Sequence, residues 1–139
     1  MKLLILPGDG IGPEISRVVA NVVECLNNKL DLGIELKEKD VGFKVLEGYG
    51  TTFPADVAKE AEASDGIILG PSDSAAYPSP ERGGVNLSAA FRRKFDLFAN
   101  IRPAKSWAGI NSHAPSMDMI VVRENTEGFY ADRNMFTGS

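Results

Sequence analysis

Hydrophobic and polar positions follow two different periods along the chain, and together they predict strands that alternate with helices. Residues 2–6 end in a continuous apolar run, which is typical of a strand covered on both faces. Apolar residues then recur with helical spacing from Ile15 to Leu26, forming one stripe of an amphipathic helix. From Leu32 the pattern changes to strict alternation, which predicts a strand with one exposed face.

The same alternation of elements continues to the end of the chain. We expect a helix from Pro54 to about Ala63, a buried strand at 65–70, a polar loop at 71–84, a helix at 85–94 and strands at 97–102 and 117–123. Strands that alternate with helices predict an α/β fold with a largely parallel sheet.

Composition narrows the possible partners. With 139 residues the chain has about the length of one domain, and its net charge of −4 provides no basic field for nucleic acid or an anionic membrane. The apolar run near Met1 is too short for a signal peptide, and no stretch approaches the length of a membrane span. The single cysteine, Cys25, falls in the apolar helical pattern, so we expect it to be buried. One cysteine allows no internal disulfide, which suits a reducing compartment, and we expect a cytoplasmic protein.

The stretch LPGDGIGPE, residues 6–14, resembles a phosphate-binding glycine loop but fails the test for one. A dinucleotide fingerprint that starts at Gly8 and Gly10 needs its third glycine at position 13, where the chain has Pro13. Two interpretations remain. The stretch is either a tight strand-to-helix turn that needs positive φ angles, or a helix start whose backbone N–H groups face an anion.

Four motifs in order carry a resemblance that covers nearly the whole chain: LPGDGIGPE, GPSDS, FRRKFDLFANIRPAK and IVVRENTEGFY. They resemble the β-decarboxylating dehydrogenases, a family that includes isocitrate, 3-isopropylmalate, homoisocitrate and tartrate dehydrogenases. The resemblance implies an α/β fold of the isopropylmalate-dehydrogenase type, which differs from the standard Rossmann fold. It further implies that residues 1–100 belong to the large α/β domain and that residues 101–139 begin a second domain for substrate binding and dimerisation.

The chemistry implied by the resemblance is oxidative decarboxylation of a small 2-hydroxy acid by NAD or NADP. Arginine pairs with carboxylates through two parallel hydrogen bonds, and the motifs place Arg92, Arg102 and Arg123 on the substrate. Tyr130 matches the catalytic tyrosine, whose phenol can donate a proton to the enolate. Without the resemblance, the basic run at Arg92 would be a solvated helix face and Tyr130 a half-buried aromatic residue.

Two polar residues bear on which acid is bound. By resemblance, the helix that precedes Arg92 contacts the variable group of the substrate, and Asn86 and Ser88 occupy its inward-looking positions. An apolar substituent would leave them unpaired, which disfavours isopropylmalate and favours isocitrate, tartrate or another hydroxylated malate analogue. The resemblance also places Ile11, Ser72 and Ser74 on the cofactor.

Other parts of the expected machinery do not occur in these residues. The family's catalytic lysine, its Mg²⁺- or Mn²⁺-binding aspartates and its adenine-binding loop are expected outside this chain, so we predict no metal ligand within it. We therefore expect the N-terminal part of a homodimeric dehydrogenase, catalytically silent and prone to self-association on its own. The alternative is a non-catalytic α/β module that binds a small carboxylate.

Overall fold

The computed structural model describes residues 1–126, in which strands and helices alternate as predicted. The elements are β1 (Lys2–Leu6), α1 (Gly12–Leu30), β2 (Glu35–Glu38), α2 (Phe43–Tyr49), α3 (Ala55–Glu62), β3 (Gly66–Leu69), α4 (Leu87–Lys94), β4 (Ala99–Lys105) and β5 (Asp118–Glu124). A short 3-10 turn, Pro80–Arg82, interrupts the loop between β3 and α4. Each predicted element is present, β1 with the predicted ends and the others with ends shifted by a few residues, whereas helix α2 was not predicted.

The first three strands form a parallel sheet in the order β2-β1-β3. Strand β1 is therefore central, and the chain leaves it first toward one edge and later toward the other. Such a reversal of direction opens a crevice outside the carboxyl ends of the two strands on either side of it, here β1 and β3. The α/β fold with a parallel sheet is thus confirmed.

The core of the sheet lies around β1. Leu4, Ile5 and Leu6 have almost no exposed surface, because a central parallel strand is covered on both faces. Val41, Val57 and Leu87 from the following segments are also fully buried.

Strands β4 and β5 form a separate antiparallel hairpin, paired from Ala99 with Glu124 to Lys105 with Asp118. Its apolar side chains are largely exposed, among them Ile101, Ile120 and Val122. The hairpin adds an antiparallel pair that the sequence pattern did not distinguish from further parallel strands.

The chain divides into two compact units, Met1–Leu87 and Ser88 onward, which we call the N-terminal and the C-terminal unit. The family's domain boundary near residue 101 stays a prediction. None of the helices formed by residues 1–126 is both long and apolar enough to cross a membrane.

The prediction that Cys25 is buried is wrong, because its side chain is exposed on α1. The residues of α1 that are buried, Gly12 and Ser16, lie in its first turns. Farther along, the apolar stripe is open to solvent, and Val18 is 59% and Val22 54% exposed. The spacing correctly predicts an amphipathic helix, but it carries no information on whether another element covers the stripe, and none of the described residues does so.

Candidate functional site

The glycine stretch after β1 is a tight turn packed against the loop that follows β3. Gly8 has a φ of +77°, and a Cβ atom there would lie 2.0 Å from the Pro71 carbonyl oxygen. The next backbone N–H, that of Asp9, donates to this same oxygen over 2.8 Å. Only glycine permits so close an approach with a positive φ. The structure therefore supports the tight-turn interpretation of this stretch.

A cavity of about 420 Å³ opens beside this turn, outside the carboxyl ends of β1 and β3. Its lining comprises Asp9, Gly10, Ile11, Phe43, Pro71, Ser72 and Asp73. The structure thus brings two of the predicted cofactor residues, Ile11 and Ser72, into one pocket. The third, Ser74, is linked to them because its hydroxyl lies 3.1 Å from the hydroxyl of Ser72.

The carboxylate of Asp9 is the most connected polar group of this pocket. Its Oδ1 accepts a hydrogen bond from the Phe43 backbone N–H over 2.8 Å. Its Oδ2 accepts one from the Asp73 backbone N–H over 3.0 Å and another from the Tyr77 hydroxyl. Burial, reinforced by the hydrogen bond to Asp9, raises the pKa of Tyr77 above its ordinary value, so the phenol keeps the proton that it donates. The Asp9 carboxylate therefore connects its own turn with two other segments, the start of α2 and the loop after β3.

The predicted substrate arginine of α4 is oriented by a buried amide. Arg92 donates from Nη1 to Oδ1 of Asn125 over 3.1 Å, and Asn125 donates from Nδ2 to the Leu97 carbonyl oxygen over 3.2 Å. Because Asn125 is only 8% exposed and bonded at both ends of its amide, it fixes one side of the guanidinium.

The other two predicted arginines share one face of the hairpin. Asn100 of β4 lies directly opposite Arg123 of β5, and Arg102 follows two residues after Asn100, so all three side chains project from the same face. Nε of Arg102 donates to Oδ1 of Asn100 over 2.9 Å. Asn125 follows Arg123 by two residues, so its bond to Arg92 places Arg92 near the end of β5. All three arginines belong to the C-terminal unit.

The two predicted specificity residues are exposed at the start of α4. The loop that leads to Asn86 is anchored by the buried Thr52, whose Oγ1 accepts from the Val85 N–H over 2.8 Å and donates to its carbonyl oxygen over 3.1 Å. Ser88 follows within the first turn of the helix. Tyr130, the predicted proton donor, lies outside the described residues.

A second cavity, of about 200 Å³, is lined by a lysine and an aspartate that form an ion pair with each other. Nζ of Lys39 lies 2.8 Å from Oδ2 of Asp56. The hydrogen bond to Asp56 raises the pKa of Lys39, and the same bond lowers the pKa of Asp56. Each group thus stabilises the charge of the other, as in an ordinary surface ion pair, and neither is prepared for proton transfer near neutral pH.

Sequence reasoning missed three side chains that organise these sites: Asp9, Tyr77 and Asn125. The sequence offers no signal for any of them, because the donors to Asp9 lie 34 to 68 residues away and Arg92 lies 33 residues from Asn125.

The chain is similar to known proteins over nearly its whole length. Residues 2–138 match the family model described as isocitrate/isopropylmalate dehydrogenase. The 3-isopropylmalate dehydrogenase of Saccharolobus solfataricus is 35% identical over 93% of this chain and 36% of its own length. That of Methanothermobacter thermautotrophicus is 33% identical over 99% of this chain and 38% of its own length. The crystal structure of isocitrate dehydrogenase from Methylococcus capsulatus superposes with a TM-score of 0.75 at 30% identity, covering 94% of this chain and 36% of that one. The chain therefore spans little more than a third of these relatives.

Proposed function

The chain belongs to the isocitrate/isopropylmalate dehydrogenase family, and we propose that it supplies the N-terminal part of an NAD(P)-dependent oxidative decarboxylase. The proposed substrate is a 2-hydroxy dicarboxylate or tricarboxylate of the malate type. The observation that carries this proposal is the pocket outside the carboxyl ends of β1 and β3, where open α/β sheets bind their ligands and which Ile11 and Ser72 both line.

The composition of this pocket fits the nicotinamide half of the cofactor. Ile11, Phe43 and Pro71 provide apolar surface for a planar ring, and Ser72 with Ser74 provides hydroxyl groups for a ribose. No lysine or arginine lines the cavity, so its lining favours ring and sugar over phosphate. When bound, the cofactor would accept the hydride from the hydroxyl-bearing carbon of the substrate.

The C-terminal unit is proposed to bind the substrate. Arg92, Arg102 and Arg123 are suited to hold its carboxylates, since guanidinium groups pair with carboxylates bidentately. Asn125 and Asn100 fix the orientation of two of them in advance. Tyr130 would supply the proton for the enolate that follows loss of CO₂.

Asn86 and Ser88 carry the proposal about specificity. Both are exposed polar side chains at the start of α4, and each would form hydrogen bonds with a hydroxyl or carboxylate of the substrate. An alkyl substituent offers no hydrogen bond to either side chain, so isocitrate, tartrate or another polar malate analogue fits better than isopropylmalate.

The metal ion of the proposed reaction is not assigned to residues of this chain. Within residues 1–126, no group of three or more histidine, cysteine, aspartate or glutamate side chains is arranged to hold a metal. These residues therefore do not fit Mg²⁺ or Mn²⁺ by themselves, and no step is derived through the ion. We propose that the metal ligands come from elsewhere in the enzyme. The proposal also includes a homodimeric assembly and a cytoplasmic location.

Cofactor binding by the ¹⁵N-labelled chain tests the proposal. We expect addition of NAD⁺, NADP⁺ or nicotinamide mononucleotide to shift the amide signals of Gly10, Ile11 and Ser72 in a saturable manner. The loop at 111–113 lines a different cavity and serves as the internal control. Shifts confined to that loop, or no saturable shift at millimolar cofactor, would refute the cofactor pocket.

Titration of the same labelled chain with isocitrate or tartrate distinguishes the proposed function from the alternative. A non-catalytic module for small carboxylates would respond to isocitrate or tartrate near Arg92 and Arg102 and ignore all three nicotinamide compounds. A dehydrogenase part responds at the pocket beside Ile11, whether or not a hydroxy acid is present.

A further inference from the structure

We propose that Asp9 is a positioning residue, whose carboxylate fixes the two walls of the pocket that contains Ile11 and Ser72. The expected effect of Asp9 on cofactor binding rests on the proposed function, because it takes this pocket to be the cofactor site. The structural part of the inference stands on the hydrogen bonds around Asp9 alone. We call this set of bonds the Asp9 clamp.

The clamp closes long segments of chain onto one turn. The donors to the carboxylate lie 34, 64 and 68 residues beyond Asp9, at the first residue of α2 and in the loop after β3. Both flanking segments contribute to the pocket lining, Phe43 from the first and Ser72 with Asp73 from the second. Hydrogen bonds to an ionised carboxylate are stronger than those between neutral groups, so a single side chain can hold both segments.

The neighbouring backbone is shaped to admit this carboxylate. Gly42 has a φ of +77°, and a Cβ atom on it would lie 2.2 Å from Oδ1 of Asp9. The space that a side chain would take at position 42 is therefore occupied by the carboxylate. The rings of Phe43 and Tyr77 meet edge to face, with centroids 5.0 Å apart and planes at 81°, and form a second contact between the two clamped segments.

A carboxylate is required because both oxygens act as acceptors at once. Asparagine in its place offers one acceptor oxygen, so either the Phe43 N–H or the pair formed by the Asp73 N–H and the Tyr77 hydroxyl loses its partner. Asp9→Asn should therefore release one wall of the pocket while it leaves the shape of the side chain unchanged.

The test measures amide hydrogen exchange in the free chain and cofactor affinity in the same variants. Asp9→Asn is expected to lower the protection of the Phe43 or the Asp73 amide by about tenfold or more and to weaken NAD⁺ binding by a similar factor. Asp31→Asn is the matched control, because it removes one negative charge from the N-terminal unit outside the pocket lining, and asparagine tolerates the φ of +51° at this position. It should leave both protection factors unchanged and alter affinity less than about threefold.

Tyr77→Phe provides a milder variant that retains the carboxylate. Loss of the phenol donor should lower protection at Asp73 and leave Phe43 protected, whereas a general loss of stability would lower both. This difference keeps the test decisive even where Asp9→Asn fails to fold.

Two outcomes overturn the inference: unchanged protection of both amides in Asp9→Asn, or equal losses of affinity in Asp9→Asn and Asp31→Asn, which would make net charge the cause. A wild-type chain that binds no cofactor refutes the proposed function and, with it, the role of the clamp in cofactor binding. The amide protection, measured without cofactor, still reports separately whether Asp9 fixes the two segments.

Discussion

Strand β1 of the N-terminal unit and strand β5 of the C-terminal unit have similar apolar sequences and opposite surroundings. Leu4 in β1 is completely buried, whereas Val121 in β5 is 43% exposed. The difference lies in the neighbours: β1 has a strand on each side, while among residues 1–126 β5 pairs only with β4. Hydrophobic side chains stabilise a fold only where another element removes them from water. An apolar run therefore predicts a strand more reliably than it predicts a core.

The two units also differ in how polar groups are fixed. In the N-terminal unit a carboxylate, that of Asp9, accepts bonds from backbone N–H groups and a phenol. In the C-terminal unit, amide side chains accept bonds from Arg92 and Arg102. The first arrangement shapes a pocket, and the second orients cations that we propose bind the substrate.

Truncation of one side chain in each of these two strands should give the largest difference in stability. We expect Leu4→Ala to lower the free energy of unfolding by about 3 kcal/mol, because it leaves a cavity in a closed core. Val121→Ala should lower it by about 0.5 kcal/mol, since its side chain already contacts water. Urea unfolding of both variants measures this, and similar losses would mean that the hairpin is covered in solution.

Glycine substitution should give a smaller effect that depends on the clamp. Gly42→Ala combines a positive φ with a collision against Asp9, and we expect it to cost about 2 kcal/mol or more. Gly33 has a similar φ of +63° but open space around it, so Gly33→Ala should cost only about 1 kcal/mol. Equal costs in thermal or urea unfolding would show that Asp9 does not occupy the space beside Gly42.

Polar substitution on α1 should change stability least and association most. Val18→Gln and Val22→Gln replace exposed apolar residues, so we expect changes in unfolding free energy within about 0.5 kcal/mol. Sedimentation velocity should show weaker self-association in the double variant, because an open apolar stripe favours contact between copies. A loss comparable to that of Leu4→Ala would instead mean that the stripe is packed.

Apart from helix α2, the sequence predicted the order of elements, because hydrophobic periodicity distinguishes helices from strands. Residues 2–6 form a strand with the predicted ends, and the stripe from Ile15 lies on a helix. It did not predict the exposure of Cys25, since burial depends on elements that pack from elsewhere in the fold. The resemblance assigned Ile11 and Ser72 to the cofactor, and both line one cavity, whereas Asp9 and Asn125 act through contacts that only the folded chain brings together.

The central claim is that this chain supplies the N-terminal part of a decarboxylating dehydrogenase, and reduction of NAD(P)⁺ tests it most directly. The chain is fused to the part of the Methanothermobacter relative that follows the matched 38% of its length. Formation of NADH or NADPH is followed by absorbance, with Mg²⁺ or Mn²⁺ and with isocitrate, tartrate or isopropylmalate. We predict turnover whose kcat/KM falls about thirtyfold in Arg102→Lys, since lysine lacks the bidentate fork, and changes little in the matched control Arg93→Lys. A folded fusion without turnover, or one in which both variants behave alike, would contradict the claim.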